Sequence, residues 1–138
     1  MQLYPYLTFS GNCREAMTFY KACLGGELTF QTVGDSPLAA KMPKKIKNSI
    51  LHATLTREKL VLMGTDMVEE QGLTKGNTVS LSLQCNSEEE IKQCYAKLAA
   101  GGRANYPPEN NFWGAFSGGL TDRFGIHWWL TFTKSRTG

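Results

Sequence analysis

No uninterrupted apolar run in this 138-residue chain exceeds four residues, Leu60 to Met63, whereas a helix that crosses a bilayer takes about 20. A membrane-spanning helix, and with it a membrane partner, is therefore not expected. The opening Met1-Gln2-Leu3-Tyr4-Pro5 lacks the basic region and apolar stretch of a secretory signal, so the expected location is cytoplasmic. Charge of one sign is scarce as well. Fifteen Lys and Arg against twelve Asp and Glu leave a formal +3, well short of the patterned excess carried by nucleic-acid binders, and no nucleic-acid partner is expected. Most of the surplus sits in Lys41, Lys44, Lys45 and Lys47, a run that reads as a solvated loop.

Metal-binding and nucleophilic residue types are few. The two histidines, His52 and His127, and the four cysteines, Cys13, Cys23, Cys85 and Cys94, form no Cys-x-x-Cys pair and no cluster with zinc-site spacing. Cys13 falls in the first turn of a predicted helix, where exposed amides and the dipole lower a thiol pKa. A reactive thiol and a small buried cysteine both remain open there. A nucleophile elbow, Ser-His-Asp order, P-loop and paired carboxylates are all missing.

What is present is an ordinary globular composition, 41% apolar and 20% charged, which suits one compact core. Tyr4 to Phe9 reads as a strand that stops at Ser10-Gly11. Asn12, with Glu15 at the third position, resembles a reciprocal cap, and Ala16, Met17, Tyr20, Cys23 and Leu24 share one helical face. Gly25-Gly26 ends that helix, Glu27 to Val33 is a second strand, and a loop runs to Asn48. Ser49 to Thr56 and Lys59 to Met63, joined at Arg57-Glu58, have the lengths of a β-hairpin.

The same order then recurs. A strand over Thr78 to Cys85 leads to a helix capped by Ser87 and Glu90, with the stripe Ile91, Cys94, Tyr95 and Leu98. Gly101-Gly102 closes that helix, a strand through Ala104 and Tyr106 meets a stop at Pro107-Pro108, and Gly114 to Thr121 and Ile126 to Thr133 complete the unit. Two βαβββ units in so short a chain point to an internal duplication, because one such unit alone has little core.

Several words in this order resemble the vicinal oxygen chelate superfamily of glyoxalase I, bleomycin-resistance proteins and extradiol dioxygenases, and its PhnB-like branch in particular. They are Pro5-Tyr6-Leu7-Thr8-Phe9-Ser10-Gly11-Asn12-Cys13 with Glu15-Ala16 and Phe19-Tyr20, then Leu24-Gly25-Gly26-Glu27-Leu28 and His52-Ala53. Near the end stand Phe112-Trp113-Gly114-Ala115, Thr121-Asp122-Arg123-Phe124-Gly125 and Trp128. The resemblance implies an α+β fold in which two tandem βαβββ units, about 1–68 and 76–134 of a single domain over 1–138, form a U-shaped mixed sheet with helices on the outer face. It also implies a homodimer.

That branch carries the label demethylubiquinone methyltransferase-like, which would imply S-adenosylmethionine. A doubly wound methyltransferase needs a glycine-rich turn between the first strand and helix, and here that turn holds the single Gly11, so no cofactor is expected. Metal-dependent relatives hold a divalent cation with His and Glu from both units. Counting back from Phe19-Tyr20, the first of those positions falls at Pro5, and the last, placed by Asp122 to Gly125, falls at Trp129. Thr78 to Leu83 holds no histidine and Lys59 to Met63 no carboxylate, so no metal site is expected.

An apolar, aromatic cavity takes the place of the metal in this reading. Leu7 and Phe9 are expected on the face of Pro5, and His127 and Thr131 on the face of Trp129, with Phe112 and Trp113 closing over them. Tyr6, Trp128 and the helix aromatics are assigned to the core. His52, with Asp66 nearby, is the candidate general base or ligand-orienting group. The alternative for His52 is a histidine satisfied by a backbone carbonyl or by a dimer contact. Two functions follow: metal-free binding of a small apolar or aromatic molecule, or isomerase or lyase chemistry on a small carbonyl compound, through a metal or through His52.

Overall fold

The computed structural model describes residues 1–69 and 71–133, Lys45 through its backbone alone. Lys134, where the sequence reading ends the second unit, lies outside the described residues. Two compact units follow one another, Met1–Thr74 and Lys75–Gly138. The first contains β1 (Tyr6–Thr8), α1 (Cys13–Leu24), β2 (Glu27–Thr32), β3 (Ile50–Arg57) and β4 (Leu60–Thr65). The second contains β5 (Leu81–Gln84), α2 (Glu88–Ala99), β6 (Arg103–Asn110), β7 (Ala115–Thr121) and β8 (His127–Thr133).

Each unit builds one four-stranded mixed sheet, in the orders β1-β4-β3-β2 and β5-β8-β7-β6. The first and last strands of each unit pair in parallel and the other neighbours are antiparallel. This is an α+β fold of tandem βαβββ modules, and the repeated strand order is the structural form of the duplication seen in the sequence.

The glycine pairs after the helices have one physical reason. A Cβ on Gly26 would meet the Thr56 carbonyl oxygen, and one on Gly102 would meet that of Thr121. The chain leaving each helix thus passes against the backbone at the end of the unit's third strand. Nearby, an arginine fixes each helix end, as Arg57 donates to the Leu24 carbonyl at 2.5 Å and Arg123 to that of Ala100 at 3.0 and 3.1 Å.

The cores lie between helix and sheet. In the first unit Cys13, Ala16, Met17, Tyr20, Cys23 and Leu24 are all buried on α1. They cover a sheet face that includes Ala53, Leu55 and Leu62, each at most 2% exposed. Gly64 lets the helix close in, since a Cβ there would stand 3.1 to 3.3 Å from Met17 Sδ, Cys13 Sγ and Phe9 Cε2. In the second, Ile91, Tyr95 and Leu98 of α2 face the sheet that carries buried Leu120, Trp128 and Leu130, and the Tyr95 hydroxyl donates to the Gly119 carbonyl at 2.8 Å. Each fully buried aliphatic side chain contributes roughly 1.5–3 kcal/mol.

Several local expectations are corrected. β1 covers Tyr6–Thr8 rather than Tyr4 to Phe9, β5 covers Leu81–Gln84 rather than Thr78 to Cys85, and the β3–β4 turn is Glu58-Lys59, with Glu58 at φ 54°. The loop to Asn48 holds two short 3-10 turns, Ala39–Lys41 and Lys44–Ile46. Asn12 makes no side-chain cap. Ser87 does cap α2, accepting from the Glu90 amide at 3.0 Å while Glu90 accepts from the Asn86 amide at 2.9 Å. Pro107-Pro108 does not end its strand. β6 runs through both prolines to Asn110 because it is an edge strand, and its register with β7 shifts on either side of Tyr106.

Candidate functional site

The helices cover one face of each sheet and leave the other open. On β2, Glu27, Thr29 and Gln31 are exposed and alternate with half-buried Leu28, Phe30 and Thr32. The register carries this open face through His52 and Thr54 of β3, Met63 of β4 and Tyr6 of β1. At its centre the Tyr6 hydroxyl lies 3.3 Å from His52 Nδ1 and the Thr54 hydroxyl 3.0 Å from His52 Nε2. The Tyr6 and His52 rings meet edge to face, centroids 5.6 Å apart.

This arrangement differs from the expected one. Phe9 is 3% exposed and packs under α1, and Leu7, paired with Gly64, shares that covered face. Tyr6, assigned to the core, is 52% exposed on the open face. A side-chain period of two means that a slip of one residue exchanges the faces. Pro5, Leu7 and Phe9 therefore give way to Tyr6 and Thr8 as the residues that β1 presents.

Asp66 is placed elsewhere too. One carboxylate oxygen accepts the Gly11 and Cys13 amides at 3.1 and 2.9 Å, and the other accepts the Ile50 amide at 2.9 Å. It thereby supplies the start of α1 with the acceptor that Asn12 does not, and it ties β3 to the same corner. Asp66 lines a shallow depression of about 320 Å³ with Ser10, Gly11, Ile46, Ser49, Met67 and Val68, and His52 is not among its partners. At this corner Cys13 is fully buried, and burial first, then the Asp66 charge, pushes its thiol up to about 12 against a weaker opposing effect of Arg14. The reactive-thiol reading of Cys13 is thereby removed.

On the open face of the second sheet, Trp129 lies over Gly119. A Cβ on Gly119 would stand 2.8 Å from Trp129 Cε3, 3.0 Å from its Cζ3 and 3.3 Å from Tyr106 Cδ2. Trp129 and Tyr106, the two rings that flank the glycine, are 40% and 68% exposed. Two residues along the ladder, the Ser117 and Thr131 hydroxyls are hydrogen-bonded at 2.8 Å. Gly118-Gly119 within a strand is the sequence signal for this floor, where ring and backbone approach closely.

His127 is engaged within the second unit. Its Nε2 faces the Gly76 carbonyl at 3.1 Å and so carries the proton; its Nδ1 then accepts from the Thr121 hydroxyl at 2.9 Å, which accepts in turn from Asn105 at 2.8 Å. Phe112 and Trp113 sit in the β6–β7 turn, stacked edge to face at 5.0 Å and 92% and 79% exposed. They cover nothing within their own unit. Asp122, absent from the expected site, organises the β7–β8 turn: it accepts the Phe124 and Ile126 amides and the Trp128 indole.

A family model described as 3-demethylubiquinone-9 3-methyltransferase matches residues 1–131. The chain belongs to this family, the PhnB-like branch of the vicinal oxygen chelate superfamily. Protein PA1353 from Pseudomonas aeruginosa is 36% identical with a TM-score of 0.85, over 96% of this chain and 98% of that one. A structure from Bacillus cereus, described as a putative 3-demethylubiquinone-9 3-methyltransferase, PhnB protein, is 26% identical with a TM-score of 0.73, over 96% and 100%. Protein YjdN of Escherichia coli K12 is 29% identical over 99% of this chain and 98% of its own length. A glyoxalase/bleomycin resistance protein/dioxygenase family enzyme from Burkholderia phytofirmans, 13% identical with a TM-score of 0.65 over 94% and 96%, shares the fold.

The residues present do not fit the groups that the family's descriptions imply. The strand-to-helix turn where a doubly wound methyltransferase would meet S-adenosylmethionine has its Gly11 and Cys13 amides taken by Asp66. Among the described residues no group of three or more His, Cys, Asp and Glu is placed to hold a metal ion. Where the first and last strands of each unit pair, the open faces present Tyr6 beside Met63 and Ser82 beside Trp129, a donor set poor in metal ligands.

Proposed function

We propose that this chain binds a small, flat, partly aromatic molecule against the open sheet face of its second unit, as a cytoplasmic homodimer and without a metal ion. The observation that carries the reading is Trp129 laid over Gly119 beside Tyr106. Trp129 packs on the glycine and remains 40% exposed, and a planar ligand ring stacked on its indole gains about 0.5–1.5 kcal/mol beyond the area it buries. Half-buried Thr131, whose hydroxyl is bonded to that of buried Ser117, is the polar group at the edge of that floor.

Thermal and fluorescence titrations with catechol, 4-hydroxybenzoate and indole test this function. A ligand at 100 times its dissociation constant adds about 2.7 kcal/mol of stability. The expected result is a saturable rise in melting temperature with at least one of the three, lost in Trp129→Ala and reduced in Gly119→Ala, whose Cβ would displace the indole. Flat melting curves with all three compounds, or a response that Trp129→Ala retains, would overturn the proposal.

A further inference from the structure

Among its described strand residues, the second sheet carries charge at two places on its open face, Arg103 and Glu109 of β6, and strand pairing fixes where each stands. The face is built in three rungs. In the first, Thr121 of β7 lies between Arg103 and His127 of β8; in the second, Gly119 lies between Tyr106 and Trp129. In the third, Ser117 lies between Glu109 and Thr131. β5 extends the last two rungs with Ser82 and Gln84, both uncharged. Directly paired residues project on the same side of a sheet, and the middle rung shows it, since both of its rings stand against Gly119. The aromatic floor is thus the middle rung, with a polar rung about 7 Å away on either side.

The two polar rungs differ in what they offer a ligand. On the first, His127 is bonded through one ring nitrogen to the Gly76 carbonyl and through the other to Thr121, whose hydroxyl also receives Asn105. Its imidazole is fully engaged. On the third, the Ser117 and Thr131 hydroxyls share one hydrogen bond, which leaves oxygen lone pairs open, and exposed Glu109 adds a carboxylate at the rim. The floor between them discriminates by charge as well. Aromatic rings are negative on their faces and attract cations, Trp most strongly, and Trp129 and Tyr106 remain 40% and 68% exposed. A cation drawn toward Glu109 therefore gains from the rings and from open acceptors, whereas an anion drawn toward Arg103 gains from neither.

We propose that the floor takes arylalkylammonium compounds, aromatic rings with a protonated amine on a short arm, and that Glu109 is their counter-ion. The ring lies on Trp129, and the arm carries the ammonium group toward the next rung, where it donates to the Thr131 hydroxyl and the Glu109 carboxylate. Arg103 stands at the opposite end of the face, four residues of β7 or about 14 Å from that rung, which exceeds the screening length of about 8 Å at physiological salt. The inference rests on Trp129 and Gly119 forming a ligand floor, and it adds the charge of the ligand.

Calorimetric titrations at neutral pH with three probes built on one ring test the charge preference: tryptamine, a cation; 3-methylindole, neutral; and indole-3-acetate, an anion. The expected result is tryptamine about tenfold tighter than 3-methylindole, the scale of a cation–π contact together with an exposed ion pair, and indole-3-acetate no tighter than 3-methylindole. Glu109→Gln is expected to remove most of the tryptamine advantage while leaving 3-methylindole unchanged, and Arg103→Gln to leave tryptamine within about twofold. Raising the salt to about 0.5 M is expected to weaken tryptamine severalfold and 3-methylindole hardly at all. Equal affinities for tryptamine and 3-methylindole, both lost in Trp129→Ala, would overturn this proposal and leave the aromatic floor standing. So would a tryptamine advantage that persists in Glu109→Gln, or tighter binding of indole-3-acetate than of tryptamine, which would make Arg103 the counter-ion. Binding by none of the three would remove the floor and this inference together.

Discussion

The indole N–H of Trp128 donates to the carboxylate of Asp122 at 2.8 Å, inside a turn that the same side chain also holds through the Phe124 and Ile126 amides. Asp122 is 3% exposed and Trp128 is 5% exposed, so loss of the carboxylate removes the acceptor that these three donors share in a largely buried turn. Each buried donor left unsatisfied costs about 1–3 kcal/mol. Asp122→Ala is expected to lose about 3 kcal/mol or more in urea denaturation, and Asp122→Asn, which keeps one acceptor oxygen, distinctly less. Equal midpoints for the Ala variant and the parent would count against the role given to this turn.

Asp66 makes the corresponding prediction for the first unit, at a corner where it joins Gly11, Cys13 and Ile50. Substitution of a helix-capping acceptor costs about 0.5–2 kcal/mol, and the lost Ile50 contact adds to that. Asp66→Ala is expected to lower stability by about 2–3 kcal/mol while leaving the response to aromatic probes unchanged, since its carboxylate holds backbone amides of the first unit. Equal urea midpoints for Asp66→Ala and the parent would count against this capping role.

Two thiols make stability depend on alkaline pH. Burial pushes Cys13 and Cys85 from the ordinary 9.0 to about 12. Folding therefore favours the protonated thiols, and the unfolded chain releases those protons at lower pH. The contribution is fully present below about pH 9 and is lost as pH rises toward about 12. Denaturation midpoints are expected to hold from pH 7 to about 9 and to fall above it. In the native protein at about pH 8, half-buried Cys94 is expected to react with a thiol reagent before the three buried cysteines.

Metal addition is the simplest of the checks. Chelator-stripped protein is expected to melt at one temperature with and without Mg, Mn, Fe(II), Co, Ni or Zn, because among the described residues no group of three or more His, Cys, Asp and Glu is placed to hold a cation. A rise with one ion, matched by about one ion per chain in elemental analysis, would show that other donors assemble and would restore a metal-assisted reaction.

The βαβββ order was legible in the sequence because its signals are local. The apolar stripe of α1, the Ser87 cap with Glu90 and the glycine pairs after both helices each span a few residues. The long-range partners were not legible. Asp66 serves Cys13 across 53 positions, and no spacing rule links a carboxylate to so distant an amide. The faces of β1 failed for a different reason: three residues hold too little alternation to set a phase, so a count from Phe19-Tyr20 put Leu7 and Phe9 where Tyr6 and Thr8 stand. Trp129 was found and Tyr106 was not, because only the packed backbone shows that both rings meet the same glycine.

The course of β6 through Pro107 and Pro108 bears on how the molecule behaves in a crowded solution. β6 is an outer strand of its sheet, and an outer strand offers a row of amides and carbonyls on which another chain's strand can grow. Proline has no amide hydrogen to offer, and because successive amides of a strand point to opposite sides, one of the two adjacent prolines leaves a blank in the middle of that row, while the register shifts beside them bend the strand further from a flat template. Fibre growth along this margin would have to begin across a gap.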